Sequence, residues 1–597
     1  MPQKNMQKVA DLLFNPELKE KPDILNYKIG GQWRGYSGKD FYEHAFKLAA
    51  FFRQKGLTKG DKLLLISENR PEWNFTDFAC QLIGVVTVPV FPNISEHDLN
   101  FILADAEPKM LVVSQEKILK KHSVFETYFG KGNTLSFSRI EGINDFSSVI
   151  EDIDLQRKIN SSISIEEEIK NIYQTISADD LLTILYTSGT SGQPKGVMLT
   201  HKNLVSNILN CQHIAPFQKY WKALSFLPLN HVYERMVNSL LLYKLVGIYY
   251  AEGVETVVQN IKEVKPHLFV SVPRLIERVY QKIIATRDEM KGLKKHILSW
   301  AIDLAERYEL KGKNGWWYEF QRSVADKLVY KKWREALGGN IECMISGGAA
   351  LNPKMERLFL CAKINCMQGY GLTETSPVVA VNEFYENGKC IGTVGPVIPN
   401  TQVKIAEDGE ILVKGSGVMM GYYKNEAATK EVMDDEGWFH TGDIGEFVEN
   451  RFLKITDRKK EIFKTTSGKY ISPAYIENKI KENGLIEHVM VIGANEKFPS
   501  ALITLNVQNI KQKFQSKSNI NLSKLANDEE VKQHVFKHIN NVNKQLAPHE
   551  QIRNPQILDV QWSVESGELT PKMSLKRKVI LQKYQSVIDK IYRKAEE

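Results

Sequence analysis

Cysteine is scarce in this chain: there are six in 597 residues (Cys80, Cys211, Cys343, Cys361, Cys366 and Cys390), with no C-x-x-C pair. No histidine lies near them at zinc-ligand spacing, which excludes a metal-clasped or disulfide-stapled fold and points to a reducing, cytoplasmic setting. Long apolar runs are missing too. The richest, Ser239–Ala251, is interrupted by Lys244 and is too short to cross a bilayer. Met1–Lys21 has no apolar segment and mixes acids with its lysines, so a secretory leader is not expected. The chain is read as soluble, touching a membrane at most from one side. There is no repeat, heptad or low-complexity tract. Charge of one sign does not dominate either: 79 basic residues face 71 acidic ones, a net of +8. That excess suits an anionic ligand or membrane surface and is equally ordinary surface chemistry, so it selects no partner.

What is present is apolar mass: 43% hydrophobic against 25% charged residues, enough for a large interior at a length that demands more than one core. Up to about residue 456, short apolar runs alternate with amphipathic segments, the pattern of an α/β fold. Strands are predicted over Lys62–Ser67, Val85–Phe91, Met110–Ser114, Leu181–Thr187, Ala223–Leu227, His267–Val272, Glu342–Ser346 and Ile364–Gln368. Helices are predicted over Lys39–Gln54 and Tyr318–Ala336. The polar stretch Lys131–Ile176 reads as a surface excursion and Thr393–Tyr423, rich in Gly and Val, as a small β region. After Asp457 the strands Val489–Ala494, Ala501–Val507 and Ile557–Ser563 surround a helix, Glu530–Gln545, in a lysine-rich context. The expected organisation is therefore an α/β domain over 1–456 and a small α+β domain over 457–597.

One segment carries chemistry on its face. The strand Leu181–Thr187 feeds Ser188-Gly189-Thr190-Ser191-Gly192-Gln193-Pro194-Lys195-Gly196. Glycines let successive backbone N–H groups converge on an anion, three hydroxyls add donors, and Lys195 adds a cation; together they suit a polyphosphate. A P-loop would need Gly-Lys-Ser/Thr directly before a helix, and that tripeptide occurs nowhere in the chain.

Residues 186–196 resemble the signature of the adenylate-forming superfamily (acyl-CoA synthetases, peptide-synthetase adenylation domains, luciferases), with Ser191 in place of a threonine. Further motifs follow in family order. Ser225–Arg235 is similar to a segment of the long-chain fatty acid branch, and Val272-Pro273-Arg274 follows it. Ser346–Ala349 and Gln368–Thr375 resemble the adenine site, and Gly437–Asp443 and Asp457–Glu461 the nucleotide site and hinge. The resemblance covers nearly the whole chain. It implies a large N-terminal domain of two α/β subdomains plus a small β-barrel region, and a small mobile α+β C-terminal domain that rotates about Asp457.

The resemblance also assigns roles. Thr187, Ser188, Gly189, Thr190, Ser191 and Lys195 hold the phosphates of ATP. Gly348, Ala349, Gln368, Gly369, Tyr370, Gly371 and Thr373 surround adenine, Tyr370 with its aromatic face. Asp443 and Arg458 hold the ribose. Glu374, with Thr190, binds Mg²⁺, for which a carboxylate oxygen is a suitable hard ligand. His231 contacts the activated acyl group or gates its channel, with a packed core histidine as the plainer reading. Phe463–Pro473, with Gly468 at its turn, is similar to the segment that swings in for thiol attack. One departure stands out. Where the family reads Leu-Thr-Pro-Thr-x-Lys-x-Lys-Arg, residues 569–577 read Leu-Thr-Pro-Lys-Met-Ser-Leu-Lys-Arg, which puts Ser574 at the position of the adenylation lysine. In an extended segment Lys572 and Lys576 would face the same side as Ser574, and Lys572 is taken to replace the missing lysine.

The implied function is ATP-dependent activation of a long-chain fatty acid as acyl-adenylate and its transfer to coenzyme A. The alternatives are a fatty acyl-AMP ligase that loads a carrier protein and a catalytically weakened acyl- or ATP-binding protein. Partners are small molecules (ATP, fatty acid, coenzyme A) and no nucleic acid. The greasy substrate fits peripheral association with the inner face of the membrane.

Overall fold

The computed structural model describes residues 6–159, 163–188, 193–466, 468–514, 521–570 and 574–593. Two eight-stranded sheets dominate it. The first runs, edge to edge, Val378–Val381, Asn365–Gly371, Cys343–Ser346, Leu268–Ser271, Lys222–Ser225, Gly247–Tyr250, Leu25–Ile29 and Gln32–Tyr36. It is parallel except for the antiparallel strand at each edge. The second runs Gly421–Tyr422, Pro194–Thr200, Leu181–Ser188, Val86–Val90, Lys62–Ile66, Met110–Val113, Thr134–Ser136 and Asn144–Asp145. Its last six strands are parallel, and its first two run antiparallel to their neighbours.

Side chains alternate across a strand, so a sheet covered on both faces needs apolar residues at every position. Lys62–Ile66 shows the split. Leu63 and Leu65 join a central core with Leu268, Val270, Cys343 and Ile345 of the first sheet, whereas Leu64 and Ile66 join a separate core with Leu99, Ile102 and Phe125. On the far side of the first sheet, Phe269 and Met344 pack with Ile261, Ile302 and Phe359. The middle layer holds the helices Gly38–Gln54, Pro71–Ile83, His201–Cys211 and Val232–Tyr243.

All 13 residues of Pro71–Ile83 are buried, including Glu72, Asn74, Asp77 and Gln81. Buried polar groups require partners: Arg70 holds Glu72, Gln81 donates to Asp77, and Val232–Tyr243 adds Arg235 and Asn238. Arg235 grips Asp77 at 2.6 Å and also meets Thr87, while Tyr250 bridges Asn74 and Asn238.

The stretch 131–176 departs from the expected surface excursion. Two of its short strands extend the second sheet, and Phe137, Phe146, Val149, Ile165, Ile169 and Tyr173 enter the central core. Ile165, Ile169 and Tyr173 lie one helical turn apart on Ile165–Gln174, whose three first-turn glutamates gave the segment its polar look. The helix expected over Tyr318–Ala336 starts at Trp316 and contains one widened turn, Asp326–Tyr330. The small β region is a four-stranded sheet of Thr401–Ile405, Glu410–Gly415, Phe439–Val448 and Phe452–Arg458.

The chain groups into two compact units, one of Met1–Lys404, Leu412–His440 and Phe447–Lys454, the other of Ile405–Ile411, Thr441–Glu446 and Ile455–Glu597. In the second unit, Ile486–Ile492, Ser500–Leu505 and Gln556–Ile557 form a sheet backed by Pro473–Ile480 and Glu529–Asn543. The strand expected over Ile557–Ser563 is only Gln556–Ile557, because Leu558 and Trp562 turn into a second small core with Met490 and Ile580.

Candidate active site

In the larger unit the phosphate loop joins two antiparallel strands, Ser188 facing Pro194 and Tyr186 facing Gly196. Gly189, Thr190 and Ser191, three of the expected phosphate ligands, lie outside the described residues. Tyr186 donates to Asp105 at 2.5 Å, and burial holds its phenol protonated well above the usual range. The Thr187 hydroxyl lies 3.4 Å from the Lys195 carbonyl oxygen.

The edge strand Gly421–Tyr422 pairs with the loop's return strand, Tyr422 opposite Val197, and so brings Tyr422 beside Lys195. The Lys195 ammonium sits 4.9 Å from the Tyr422 ring centre. The Tyr422 hydroxyl donates to Glu374 Oε1 at 3.0 Å, and burial first, then Glu374, raises its pKa far above normal. One tyrosine therefore links the expected phosphate lysine to the expected metal carboxylate. Sequence reasoning missed Tyr422; its only signal was a place at the end of the Gly/Val-rich region. Among the described residues no cluster of three or more His, Cys, Asp or Glu side chains is gathered for a metal. A lone Glu374 fits Mg²⁺, which takes one or two carboxylates and completes its octahedron with substrate phosphates and water.

The expected adenine segments sit at the carboxyl ends of two parallel neighbours, Cys343–Ser346 and Asn365–Gly371, with Ser346 level with Gln368. Crevices at such ends are the usual ligand sites of open α/β sheets. Gly348 is in the left-handed region at φ +82°, with open space where a Cβ would stand. A Cβ on Gly371 would fall 1.8 Å from the Pro377 carbonyl oxygen, so glycine is required there. Gly369 and Tyr370 pair with the edge strand opposite Val381 and Ala380, and Thr373 opens the short turn that carries Glu374. Ala349 is exposed, and Tyr370 is partly so.

The Gln368 side chain is engaged within the protein. Its amide donates to Glu356 at 2.8 Å and accepts from the Leu351 N–H at 3.0 Å, while Glu356 also accepts from the Gly392 N–H. Its side chain thus fixes the 347–351 loop. Burial pushes the Glu356 carboxyl up to about 7 against those hydrogen bonds.

His231 caps the helix Val232–Tyr243, its Nδ1 accepting from the Tyr233 N–H at 3.2 Å. Behind it Glu234 is buried, accepting from Ser225 at 2.5 Å and Asn238 at 3.2 Å, with Oε2 unpartnered. Burial pushes the Glu234 carboxyl up to about 8 from an ordinary 4.5. A raised carboxyl favours folding fully below the unfolded pKa and loses that contribution as pH climbs through the folded one. Thermal stability should therefore fall between about pH 4.5 and 8, and Glu234→Gln, which keeps the acceptor, should flatten that slope. A melting-temperature series across this range checks it; an unchanged slope would exclude Glu234 as its origin.

In the smaller unit Asp443 is buried and accepts from the Arg458 Nε at 3.1 Å, so these two expected ribose ligands are already in contact. Glu410 accepts from the Gly442 N–H at 2.9 Å and from Lys459 at 2.7 Å, bracing the same turn. Asp457, the expected hinge, is buried, and desolvation raises its carboxyl pKa against hydrogen bonds from Ser472 and the Arg458 N–H. Gly468, at φ +75°, donates to the Thr465 carbonyl oxygen and closes the turn between Phe463–Lys464 and Tyr470–Ile471.

Lys572 lies outside the described residues. On either side, Leu569 bridges Leu575, Thr570 N–H donates to the Ser574 carbonyl oxygen, and Lys576 starts the helix Arg577–Lys583. The described residues flanking Lys572 are thus a bridge and a helix start. Arg577 anchors it, with two bonds to Glu477 at 2.6 and 2.7 Å and one to Glu461 at 3.0 Å.

Residues 16–423 match the AMP-binding enzyme family, and residues 460–596 match the AMP-binding enzyme C-terminal domain. The chain is 33% identical to the long-chain-fatty-acid–CoA ligase FadD15 of Mycobacterium bovis, over 98% of this chain and 97% of that one. It is 30% identical to long chain acyl-CoA synthetase 3 of Arabidopsis thaliana, over 98% and 90%. Its fold is similar to that of the adenylation domain of a carboxylate reductase from Mycobacterium chelonae, at a TM-score of 0.72 and 18% identity over 99% and 95%. The motifs, the two-sheet architecture and these full-length likenesses agree: the chain belongs to the adenylate-forming AMP-binding enzymes, in the branch of the long-chain fatty acid–CoA ligases.

Proposed function

We propose that this enzyme activates a long-chain fatty acid with ATP and passes the acyl group to coenzyme A, releasing pyrophosphate and AMP. The observation that carries the proposal is the contact chain Lys195–Tyr422–Glu374 beside the phosphate loop, which sets a cation and a hard anionic ligand on one wall. A fatty acid carboxylate is a poor acyl donor. Its oxygen attacks the α-phosphorus of ATP, the bond to pyrophosphate breaks, and the acyl-adenylate results. The sulfur of coenzyme A then attacks the carbonyl carbon and AMP leaves.

Lys195, the hydroxyls of Thr187, Ser188, Thr190 and Ser191, and the N–H groups of the loop offset the phosphate charge. Glu374 with Thr190 would hold Mg²⁺, which would supply charge neutralisation to the phosphates. Tyr370, between glycines, offers a face to adenine, with Gly348 and Ala349 opposite. Asp443, steered by Arg458, accepts from the ribose hydroxyls.

Pyrophosphate release across a panel of acids, with and without coenzyme A, followed by mass analysis, tests this reading. Long-chain acids should give pyrophosphate and acyl-CoA. Adenylate that accumulates when coenzyme A is present would favour carrier loading. ATP binding without pyrophosphate would favour a weakened enzyme, the reading that Ser574 motivates. Tyr422→Phe should raise the Mg²⁺ concentration for half-maximal activity by about 10-fold or more, since removing a partner that orients a metal ligand costs that much. An unchanged Mg²⁺ titration would separate Tyr422 from the metal.

A further inference from the structure

The segment Trp316–Ala336 is pinned by its inner face. Tyr318 donates to the Leu304 carbonyl oxygen at 2.6 Å, Tyr330 to that of Ala301 at 2.7 Å, and Arg322 to that of Cys361 at 2.9 Å. Its outer face is apolar and in water: Trp316 is 81% exposed, Trp317 56%, Phe320 57%, Val324 37% and Leu328 46%. Residues 317, 320, 324 and 328 are spaced to fall on one stripe of a helix. The Trp317 and Phe320 rings stack at 5.5 Å, and Trp316 meets Trp317 edge-on at 5.7 Å. Large aromatic side chains grouped in this way on a surface mark an interaction site.

The charge around the stripe is net basic, with Glu335 paired to Lys331 at 4.0 Å. Lys327, Lys331 and Lys332 are exposed on the same segment, and Lys311 and Lys313 just before it. Its acids are engaged locally: Glu319 pairs with Arg322 at 3.1 Å and Asp326 with Arg334 at 2.6 Å. Aromatic rings at headgroup depth, flanked by lysines whose stems lie along apolar surface, are the pattern of a helix lying in the plane of an anionic bilayer. Among the described residues no helix is long and apolar enough to cross a membrane.

We propose that the face Trp316, Trp317, Phe320, Val324 and Leu328, with its rim of lysines, docks this enzyme on anionic phospholipid membranes. The consequence for substrate supply rests on the proposed fatty acid activity; the docking itself does not.

Flotation of the full chain with vesicles of phosphatidylcholine alone, or mixed with phosphatidylglycerol, is the test. The wild type should float with the mixed vesicles, and lipids brominated on their acyl chains should quench its tryptophan fluorescence. The triple variant Trp316→Ala/Trp317→Ala/Phe320→Ala should lose binding at least about 10-fold and most of that quenching. Lys327→Glu/Lys331→Glu should lose binding chiefly at low salt. Both variants should melt like the wild type, since they alter only exposed side chains. With fatty acid presented in vesicles the triple variant should turn over about 10-fold more slowly, and with dilute monomeric acid at the wild-type rate. Equal flotation of wild type and triple variant, or no flotation of either, would overturn the proposal. So would concentration-dependent self-association that the triple variant abolishes without vesicle binding, which would make the face a contact between copies. If no acyl-CoA forms with any acid, the flotation and quenching results still decide the docking question.

Discussion

Lys572→Ala should lower fatty-acid-dependent exchange between ATP and pyrophosphate by about 10²–10³-fold, the cost of removing one donor aimed at developing charge. Thioester formation from preformed acyl-adenylate should be nearly unaffected. Lys576→Ala should change neither step more than about threefold, because the backbone fixes Lys576 at a helix start: its N–H donates to the Glu568 carbonyl oxygen at 2.8 Å and it is the N-cap residue of Arg577–Lys583. Ser574, at the position of the family lysine, is exposed, and its N–H donates to the Thr570 hydroxyl at 3.2 Å. The described residues on either side of Lys572 are thus held, and Arg577 is locked between Glu477 and Glu461 behind them. Lys572 is the remaining lysine of the motif. Exchange that survives Lys572→Ala and fails in Lys576→Ala would reverse the assignment.

Arg235→Ala should destabilise the larger unit by about 3–5 kcal/mol, the cost of leaving one charge of a buried pair unpaired. Both partners are out of water, with side chains 3% exposed, and Arg235 reaches Asp77 with two nitrogens while Asp77 also accepts from Gln81 and Thr87. Adding Asp77→Asn removes the stranded charge while keeping an acceptor, so the double variant should recover part of the loss. Urea titration followed by tryptophan fluorescence measures both. A single variant within about 1 kcal/mol of wild type would mean the pair contributes little net stability, as buried pairs sometimes do.

These two cases show where sequence was informative. Anion-binding groups packed into residues 186–196, and the order of the motifs after them, were legible because phosphate recognition uses local backbone and short spacing. Strands of the two sheets were legible because cover on both faces makes them continuous apolar runs. Residues 131–176 were not, since three apolar positions one helical turn apart are diluted by glutamates that face water. Tyr422 was not, because its partners Lys195 and Glu374 are 227 and 48 residues away and meet it only through strand pairing. Arg235 lies inside the segment that resembles the fatty acid branch, yet the structure uses it to tie two helices of the middle layer. Gln368 likewise sits in the adenine motif and spends its amide on Glu356 and Leu351. A motif marks which residues matter; only packing separates those that meet the ligand from those that hold the wall.

The middle helix layer has a consequence in time as well as space. Amide hydrogens of Pro71–Ile83, with every residue under both sheets, exchange with solvent only when the layers part, on the slow clock of global unfolding. The strand that carries Tyr422 is two residues long and lies at a sheet edge. Tyr422 is nonetheless buried there, in a small core with Val197, Met419 and Phe439. The protein thus holds the phenol that meets Glu374 by side-chain packing at a sheet edge, and its most deeply covered helix in the middle layer.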